Sequence, residues 1–217
     1  MGGANCHRRR KIRERFMGLV RAKSDVEAER ASVPAIGEAR LDDPSAAVRR
    51  VAVDGLAVAG GEGQLMARLL VEDDRQVREA ILLTLVRIGS VEVAMALAQL
   101  LGHDRPDLRN AALECLTALP GPTAGLLDQL ALSEDADVRI FAVMLAGELG
   151  WELAGRGLTE RAAAESDANV AAAIAEVLAE IGEPECIEAL EDLQHRFSDQ
   201  PFVMFAASLA IKRLQSN

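Results

Sequence analysis

A pattern that returns about every thirty residues constrains this fold more than any other feature of the chain. An apolar anchor, usually Val, recurs at six positions: Val48, Val77, Leu108, Val138, Val170 and Val203. Apolar residues follow four and eight positions after each anchor, so the three share one face of a helix. Glycine stands twelve positions after four of the anchors and predicts a left-handed cap at each helix end: Gly60, Gly89, Gly150 and Gly182. An acid precedes each anchor and suits a helix N-cap: Asp43, Asp74, Asp104, Asp135, Asp167 and Asp199.

Second apolar stretches lie between these helices and predict return helices. They cover residues 64–71, 91–101, 123–132, 153–164 and 184–197. A helical hairpin of about thirty residues cannot bury its apolar face alone, so copies must stack on one another. The sequence therefore predicts an all-α fold, a right-handed α-solenoid of stacked helical hairpins.

Three segments carry a family resemblance: "DPSAAVRRVAVDGLAVAG", "DDRQVREAILLTLVRIG" and "DADVRIFAVMLAGELG". They resemble HEAT repeats of the short bacterial class, often named after the phycobilisome (phycocyanobilin) lyase subunits. The resemblance extends over residues 41–214 and implies the solenoid fold. It does not select a function, because HEAT solenoids serve as scaffolds, lyases, hydroxylases and glycosylases.

Charge divides the chain into two predicted parts. Residues 1–40 hold ten Lys or Arg and five Asp or Glu, whereas the whole chain holds 24 and 34, so the remainder is strongly acidic. We predict a basic amphipathic N-terminal segment over residues 1–23, with its first residues disordered. A single HEAT-like solenoid of about six repeats is predicted over residues 24–217. An acidic solenoid repels phosphate backbones, which makes nucleic acid an unlikely ligand of its groove.

The N-terminal segment admits two interpretations. Apolar Ile12, Phe16, Leu19 and Val20 fall at helical spacing and are surrounded by Arg9, Lys11, Arg13 and Arg15. The segment could bind a membrane surface, an RNA or an acidic partner. We favour a helix that caps the first repeat, because terminal repeats are usually atypical. Deleting residues 1–23 should then lower stability or cause oligomerisation.

The usual signatures of catalysis and metal binding do not occur in this sequence. Iron-dependent hydroxylases of similar fold carry His-Glu ligand pairs, and none of the three histidines here has a neighbouring Glu. Zinc-binding Cys-x-x-Cys pairs and phosphate-binding loops are missing as well. We therefore expect no cofactor, no metal and no catalytic residues. The three cysteines, Cys6, Cys115 and Cys186, are far apart in sequence and suggest reduced thiols in a cytoplasmic protein. The Ala- and Arg-rich composition suggests a bacterial one.

An arginine follows the anchor in four repeats: Arg49, Arg78, Arg109 and Arg139. These four residues, the Arg column, could bind an anionic ligand. We favour a structural ladder in which each Arg reaches a neighbouring Asp or a helix-end carbonyl. The column ends at Ala171 and Met204. On this hypothesis Arg109→Ala would strand a buried Asp.

The return helices line the concave side of such a solenoid, and their polar residues predict a binding surface. Gly155 and Gly157 are costly within a helix and suggest a notch, with Trp151 as an anchor beside it. Glu188 and Asp192 on the next return helix favour a partner that is basic at the contact. The predicted partner-binding residues are Trp151, Gly155, Gly157, Arg161, Glu188, Asp192, Arg68, Gln99 and Gln129.

We therefore favour a non-enzymatic protein-binding scaffold or adaptor. The first alternative is an enzyme subunit or chaperone resembling the phycobilin lyases, acting on a tetrapyrrole-carrying protein, although the aromatic content of 3% is low for a tetrapyrrole pocket. The second alternative is a membrane- or RNA-associated adaptor that binds through the N-terminal segment.

Overall fold

The structure is a computed structural model that describes residues 40–216, apart from the side chains of residues 58 and 59. The described residues form twelve α-helices and contain no β-strand. The chain divides into two compact units, Met1–Ala96 and Leu97–Asn217. The predicted N-terminal segment, residues 1–23, lies outside the described residues.

Unit 1 contains two successive helical layers. Its helices are α1 (Ala46–Ala59), α2 (Glu62–Val71), α3 (Arg75–Ile88) and the first residues of α4 (Val91–Gln99). Helix α1 packs along α3, and α2 packs on both. Leu65, Leu69, Ile81 and Leu85 are completely buried at their centre. The return helix α2 thus covers the apolar face that the repeat pattern predicts.

Unit 2 continues the alternation of outer and return helices. Its outer helices are α5 (Pro106–Thr117), α8 (Ala136–Leu149), α10 (Ala168–Ile181) and α12 (Pro201–Leu214). Its first return segment is a 3-10 turn (Leu100–Gly102) that follows α4, and its second is the short pair α6 (Pro120–Ala124) and α7 (Leu127–Ala131). In the third, a π-helical turn (Trp151–Gly155) leads into α9 (Arg156–Ala164). In the fourth, a 3-10 turn (Pro184–Cys186) leads into α11 (Ile187–Arg196). Successive outer helices pack side by side, and α9 packs on α11. The prediction of an all-α fold of stacked helical hairpins is confirmed.

The predicted N-caps are half correct. Asp74, Asp135 and Asp167 are N-caps whose carboxylates accept backbone N–H groups of the first turn. At the other three helices the N-cap follows the predicted Asp by one or two residues: Ser45, Arg105 and Gln200. Pro106 and Pro201 cause two of these differences, because proline prefers the first helical position and makes the residue before it the N-cap. Asp43 instead accepts the N–H of Ser45.

The predicted glycine caps also separate into two groups. Gly60 and Gly89 adopt the left-handed conformation, with φ of 71° and 62°, and end α1 and α3 as predicted. Gly150 has φ of 81° but ψ of 178°, so it is not a left-handed helical cap. Gly182 is extended, with φ of −70°, and that prediction was wrong. Pro184 holds the preceding Glu183 extended, and the chain leaves α10 along this extended path.

Candidate functional site

The Arg column binds backbone carbonyls of the turn that precedes its own helix. Arg49 Nη1 donates to Asp43 O at 2.8 Å, and Arg109 Nη1 donates to His103 O at 2.7 Å. Arg139 Nη1 donates to Ser133 O at 2.9 Å, and Arg78 Nη1 donates to Glu72 O at 3.4 Å. The acceptor is six residues before the Arg in all four cases. The structural interpretation of the column is confirmed in this respect, since each Arg ties its helix to the preceding turn.

In unit 1 the column also meets a buried carboxylate, that of Glu72. Arg49 Nη2 and Nε donate to the two oxygens of Glu72 at 2.7 and 2.8 Å, and Arg68 Nε donates to Oε2 at 2.8 Å. The backbone N–H of Asp74 donates to Oε1 at 2.8 Å. Burial disfavours the charged carboxylate, but these hydrogen bonds outweigh it and hold the pKa of Glu72 at about 2. We call Arg49, Arg68 and Glu72 the Glu72 cluster.

Unit 2 contains a corresponding Glu165 cluster, formed by Arg139, Arg161 and Glu165. Arg139 Nη2 and Nε donate to the Glu165 oxygens at 3.0 and 3.1 Å, and the N–H groups of Ser166 and Asp167 both donate to Oε1 at 2.9 Å. Burial again opposes ionisation, yet these donors lower the pKa of Glu165. Arg161 Nε lies 3.6 Å from Glu165 Oε2 and, among the described residues, has no hydrogen-bond acceptor.

These two glutamates, and not the aspartates that the sequence predicts, are the buried acids beside the Arg column. Arg109 donates to carbonyls only and, within the described part of the chain, to no carboxylate. The prediction that Arg109→Ala strands a buried Asp was therefore wrong, because the aspartates cap helices while the buried acids are Glu. A shared pattern, Arg-x-x-x-Glu-x-Asp, was available as a signal in "RLLVEDD" and "RAAAESD".

Arg196 binds the turn carbonyl that the Arg column leaves unbound at Ala171, where the column has no arginine. Arg196 Nη1 donates to Glu165 O at 2.6 Å, and its Nη2 donates to Ala162 O. Glu165 lies six residues before Ala171, so its carbonyl is the one that an Arg at position 171 would bind. A return helix, α11, thus supplies a guanidinium that the outer helix α10 lacks.

An open groove lies beside the Glu165 cluster. It runs between α7 and α9 above α8 and has a volume of about 160 Å³. Its walls are largely apolar and include Leu127, Val143, Leu153 and Leu158. Three charged residues also line it: Asp128, Arg139 and Arg161. The groove can therefore accept an apolar group while presenting charge beside it.

Two of the predicted site residues, Gly157 and Arg161, line this groove. Gly157 is exposed, and a Cβ added there would lie 3.6 Å from Asp128 Oδ1, at ordinary contact distance. Gly155 is buried, and a Cβ there would overlap the Trp151 indole. Packing therefore does explain Gly155, contrary to our expectation of a notch that packing leaves unexplained. Trp151 is half-buried above this glycine.

The other predicted site residues lie on several elements. Gln129 is exposed on α7, next to the groove residue Asp128, and Gln99 is exposed at the end of α4. Glu188 and Asp192 are exposed on α11, and Asp192 Oδ2 accepts from Arg196 Nε at 2.6 Å. Arg68 belongs to the Glu72 cluster of unit 1. The basic residues Arg9, Lys11, Arg13 and Arg15 lie outside the described residues.

Two further properties bear on possible functions. Within residues 40–216 no helix is long and apolar enough to cross a membrane. Cys115 and Cys186 are free and buried, and desolvation raises the pKa of the Cys115 thiol to about 12. A thiol held protonated in this way is a poor nucleophile.

The repeat architecture agrees with a match in sequence. A family model described as HEAT repeats matches residues 33–120. The match covers less than half of the chain. It confirms the resemblance for the first two of the three repeat segments, which lie within the matched residues. No curated protein matches the chain closely enough to count as a relative.

Solved structures similar to the chain include two engineered proteins from the Northeast Structural Genomics Consortium. The first is 20% identical, with a TM-score of 0.44, over 81% of this chain and 94% of that protein. The second is 19% identical, with a TM-score of 0.41, over 81% of this chain and 56% of that protein. The complex of CpcE and CpcF of phycocyanin lyase from Nostoc sp. PCC7120 is 22% identical, with a TM-score of 0.29, over 99% of this chain and 91% of that chain.

Proposed function

We propose that this HEAT-repeat chain is a protein-binding scaffold and that a segment of its partner occupies the groove between α7 and α9. The observation that carries the proposal is the groove itself, an open and mostly apolar space of about 160 Å³. Helices α9 and α11 pack against each other, whereas α7 and α9 leave this space between them. A pocket that can take up one side chain of a partner is where a binding hot spot can form.

Local sequence accounts for the opening. Pro120, Pro122 and Gly125 break the return segment of this hairpin into two five-residue helices. Gly157 carries no side chain at the edge where α9 approaches Asp128. The Trp151 ring rests on Gly155, within the π-helical turn that supplies Leu153 and Ala154 to the groove. We assign Trp151 a positioning role in this proposal.

The proposed surface continues onto α11. Glu188 is exposed there and would favour a basic side chain of the partner, as the sequence suggested. Asp192 is already paired with Arg196. The basic contact therefore centres on Glu188, and its reversal to Lys should weaken binding most at low salt, where screening is least.

Site-specific photo-crosslinking tests the proposal. A photoreactive phenylalanine analogue replaces Gln129, which is exposed beside the groove, and the full chain is incubated with cell extract under light. The control places the same analogue at Glu176, which is exposed on the outer helix α10. We expect a protein that crosslinks at position 129 and not at position 176.

A groove-filling variant completes the design. Gly157→Leu, combined with the analogue at position 129, should abolish that crosslink while circular dichroism stays unchanged. A crosslink that survives the filled groove, or that appears equally at position 176, would place partner binding elsewhere on the chain.

A further inference from the structure

We propose that the Arg161 end of the groove binds a carboxylate, so that the partner segment carries an aliphatic side chain followed within a few residues by an acidic group. This inference rests on the proposed function and adds the chemistry of the bound segment. It concerns the groove only, and the contact at Glu188 is separate from it.

The first support is the charge of the cluster. Two guanidinium groups, those of Arg139 and Arg161, share one carboxylate, that of Glu165. Both arginines line the groove, whereas Glu165 is 1% exposed. This end of the groove is therefore cationic toward a ligand, although residues 41–217 as a whole are acidic.

The second support is the unused hydrogen-bonding capacity of Arg161. Glu165 already accepts two bonds from Arg139 and two from backbone N–H groups. Glu165 Oε2, the oxygen nearest Arg161, accepts only from Arg139 Nε, and Arg161 Nε lies 3.6 Å from it, beyond hydrogen-bond distance. Arg161 Nε is buried and lacks an acceptor, so a ligand would have to reach this guanidinium through the exposed part of the side chain, 20% of its surface. A ligand carboxylate can supply the fork-shaped hydrogen bonding that guanidinium groups prefer.

The third support is the shape and polarity of the rest of the groove. About 160 Å³ is enough for one aliphatic side chain, and the walls beside it are Leu and Ala. Asp128 stands on α7, while Arg161 stands on α9. An acidic group of the partner would be repelled near Asp128. The partner segment should therefore bind with its carboxylate at Arg161 on α9 and not beside α7.

The test uses a display library of random seven-residue peptides, selected on the full chain. We expect selected peptides to share an aliphatic residue followed by Asp, Glu or a free carboxyl end. Arg161→Gln should lower the affinity of such a peptide about tenfold, the scale of a charge-assisted hydrogen bond. Arg156→Gln is the control, because Arg156 is exposed on the same helix α9 but does not line the groove, and it should leave affinity unchanged.

Changing the peptide and the protein together distinguishes a direct contact at Arg161 from an effect of the variant on folding. Replacing the peptide acid by its amide should weaken binding to the wild-type chain about tenfold and binding to Arg161→Gln hardly at all. Equal losses on both proteins would overturn the carboxylate contact. If the selected peptides lack an acid but lose their binding to Gly157→Leu, this inference is overturned and the proposed function stands. Peptides indifferent to Gly157→Leu, or no selection at all, would overturn both.

Discussion

The Glu72 and Glu165 clusters share one sequence pattern but differ at one hydrogen bond. In unit 1, Arg68 Nε lies 2.8 Å from its glutamate, and in unit 2 the corresponding Arg161 Nε lies 3.6 Å away. Glu72 accepts one backbone N–H, from Asp74, while Glu165 accepts two, from Ser166 and Asp167. Both backbone donors bind Glu165 Oε1, whereas Arg161 faces Oε2, which accepts only from Arg139 Nε. The clusters therefore differ in their second arginine, because Arg68 is hydrogen-bonded to its glutamate and Arg161 is not.

The largest expected effect follows from removing the main arginine of each cluster. Arg49→Ala leaves buried Glu72 with one guanidinium and should cost about 3 kcal/mol, the scale of a broken buried ion pair. Arg139→Ala should cost at least as much, about 3 kcal/mol, because Arg161 lies 3.6 Å from Glu165 whereas Arg68 keeps a 2.8 Å bond to Glu72. Arg109→Ala loses only bonds to neutral carbonyls and should cost about 1 kcal/mol. Urea unfolding measures all three, and an equal cost for all three would show that the carboxylates contribute nothing.

The second prediction concerns how the free energy of unfolding changes at acid pH. The pKa of Glu72 is about 2 in the folded chain, against an ordinary value of 4.5, so its ionised form stabilises the fold. That contribution is fully present above pH 4.5 and is lost as the pH falls from 4.5 toward 2. Glu72→Gln should therefore flatten the dependence of unfolding free energy on pH across this window.

The same measurement compares the two units. Glu165→Gln should flatten the curve in the same direction, since the pKa of Glu165 is also lowered. We expect the smaller change there, because only one arginine bonds Glu165 closely. The exposed Glu160 provides the control, and Glu160→Gln should leave the acid dependence intact. A larger flattening for Glu165→Gln would reverse the proposed order of the clusters.

The repeat could be predicted from the sequence because the spacing of apolar residues is the same in each copy even where the individual residues differ. Glu72 and Glu165 could not be predicted, because the sequence alone does not distinguish a buried acid at the end of a return helix from an exposed one. Their burial depends on how the next helical layer packs. The groove could not be predicted either, because it depends on how Pro120, Pro122 and Gly125 divide one return helix. Asp104 and Gly182 show the same limit on a smaller scale, since a nearby proline, Pro106 or Pro184, determines the local backbone.

The third prediction uses two glycines that lie two residues apart. Gly155→Ala forces the Trp151 ring to move and should destabilise the chain by about 2 kcal/mol, as overpacking does. Gly157→Ala meets only ordinary contact and should stabilise α9 by about 0.5–1 kcal/mol. Gly63→Ala on α2 of unit 1 has open space and should give a similar gain. Thermal melting of the three variants checks the order, and a gain from Gly155→Ala would contradict the packing of Trp151 on this glycine.

The smallest expected effect tests whether Arg196 substitutes for the missing arginine at position 171. Arg196→Ala removes donors from the carbonyls of Glu165 and Ala162 and should cost about 1 kcal/mol, the net value of ordinary hydrogen bonds. Arg196 also pairs with Asp192, but both side chains are partly exposed, at 32% and 49%. Exposed pairs contribute little, so Asp192→Ala should change the free energy of unfolding by less than about 0.5 kcal/mol. If the two variants cost the same, the surface ion pair and not the carbonyl contact accounts for Arg196. The Glu165 cluster would then lack a counterpart of the bond from Arg78 to Glu72 O in unit 1.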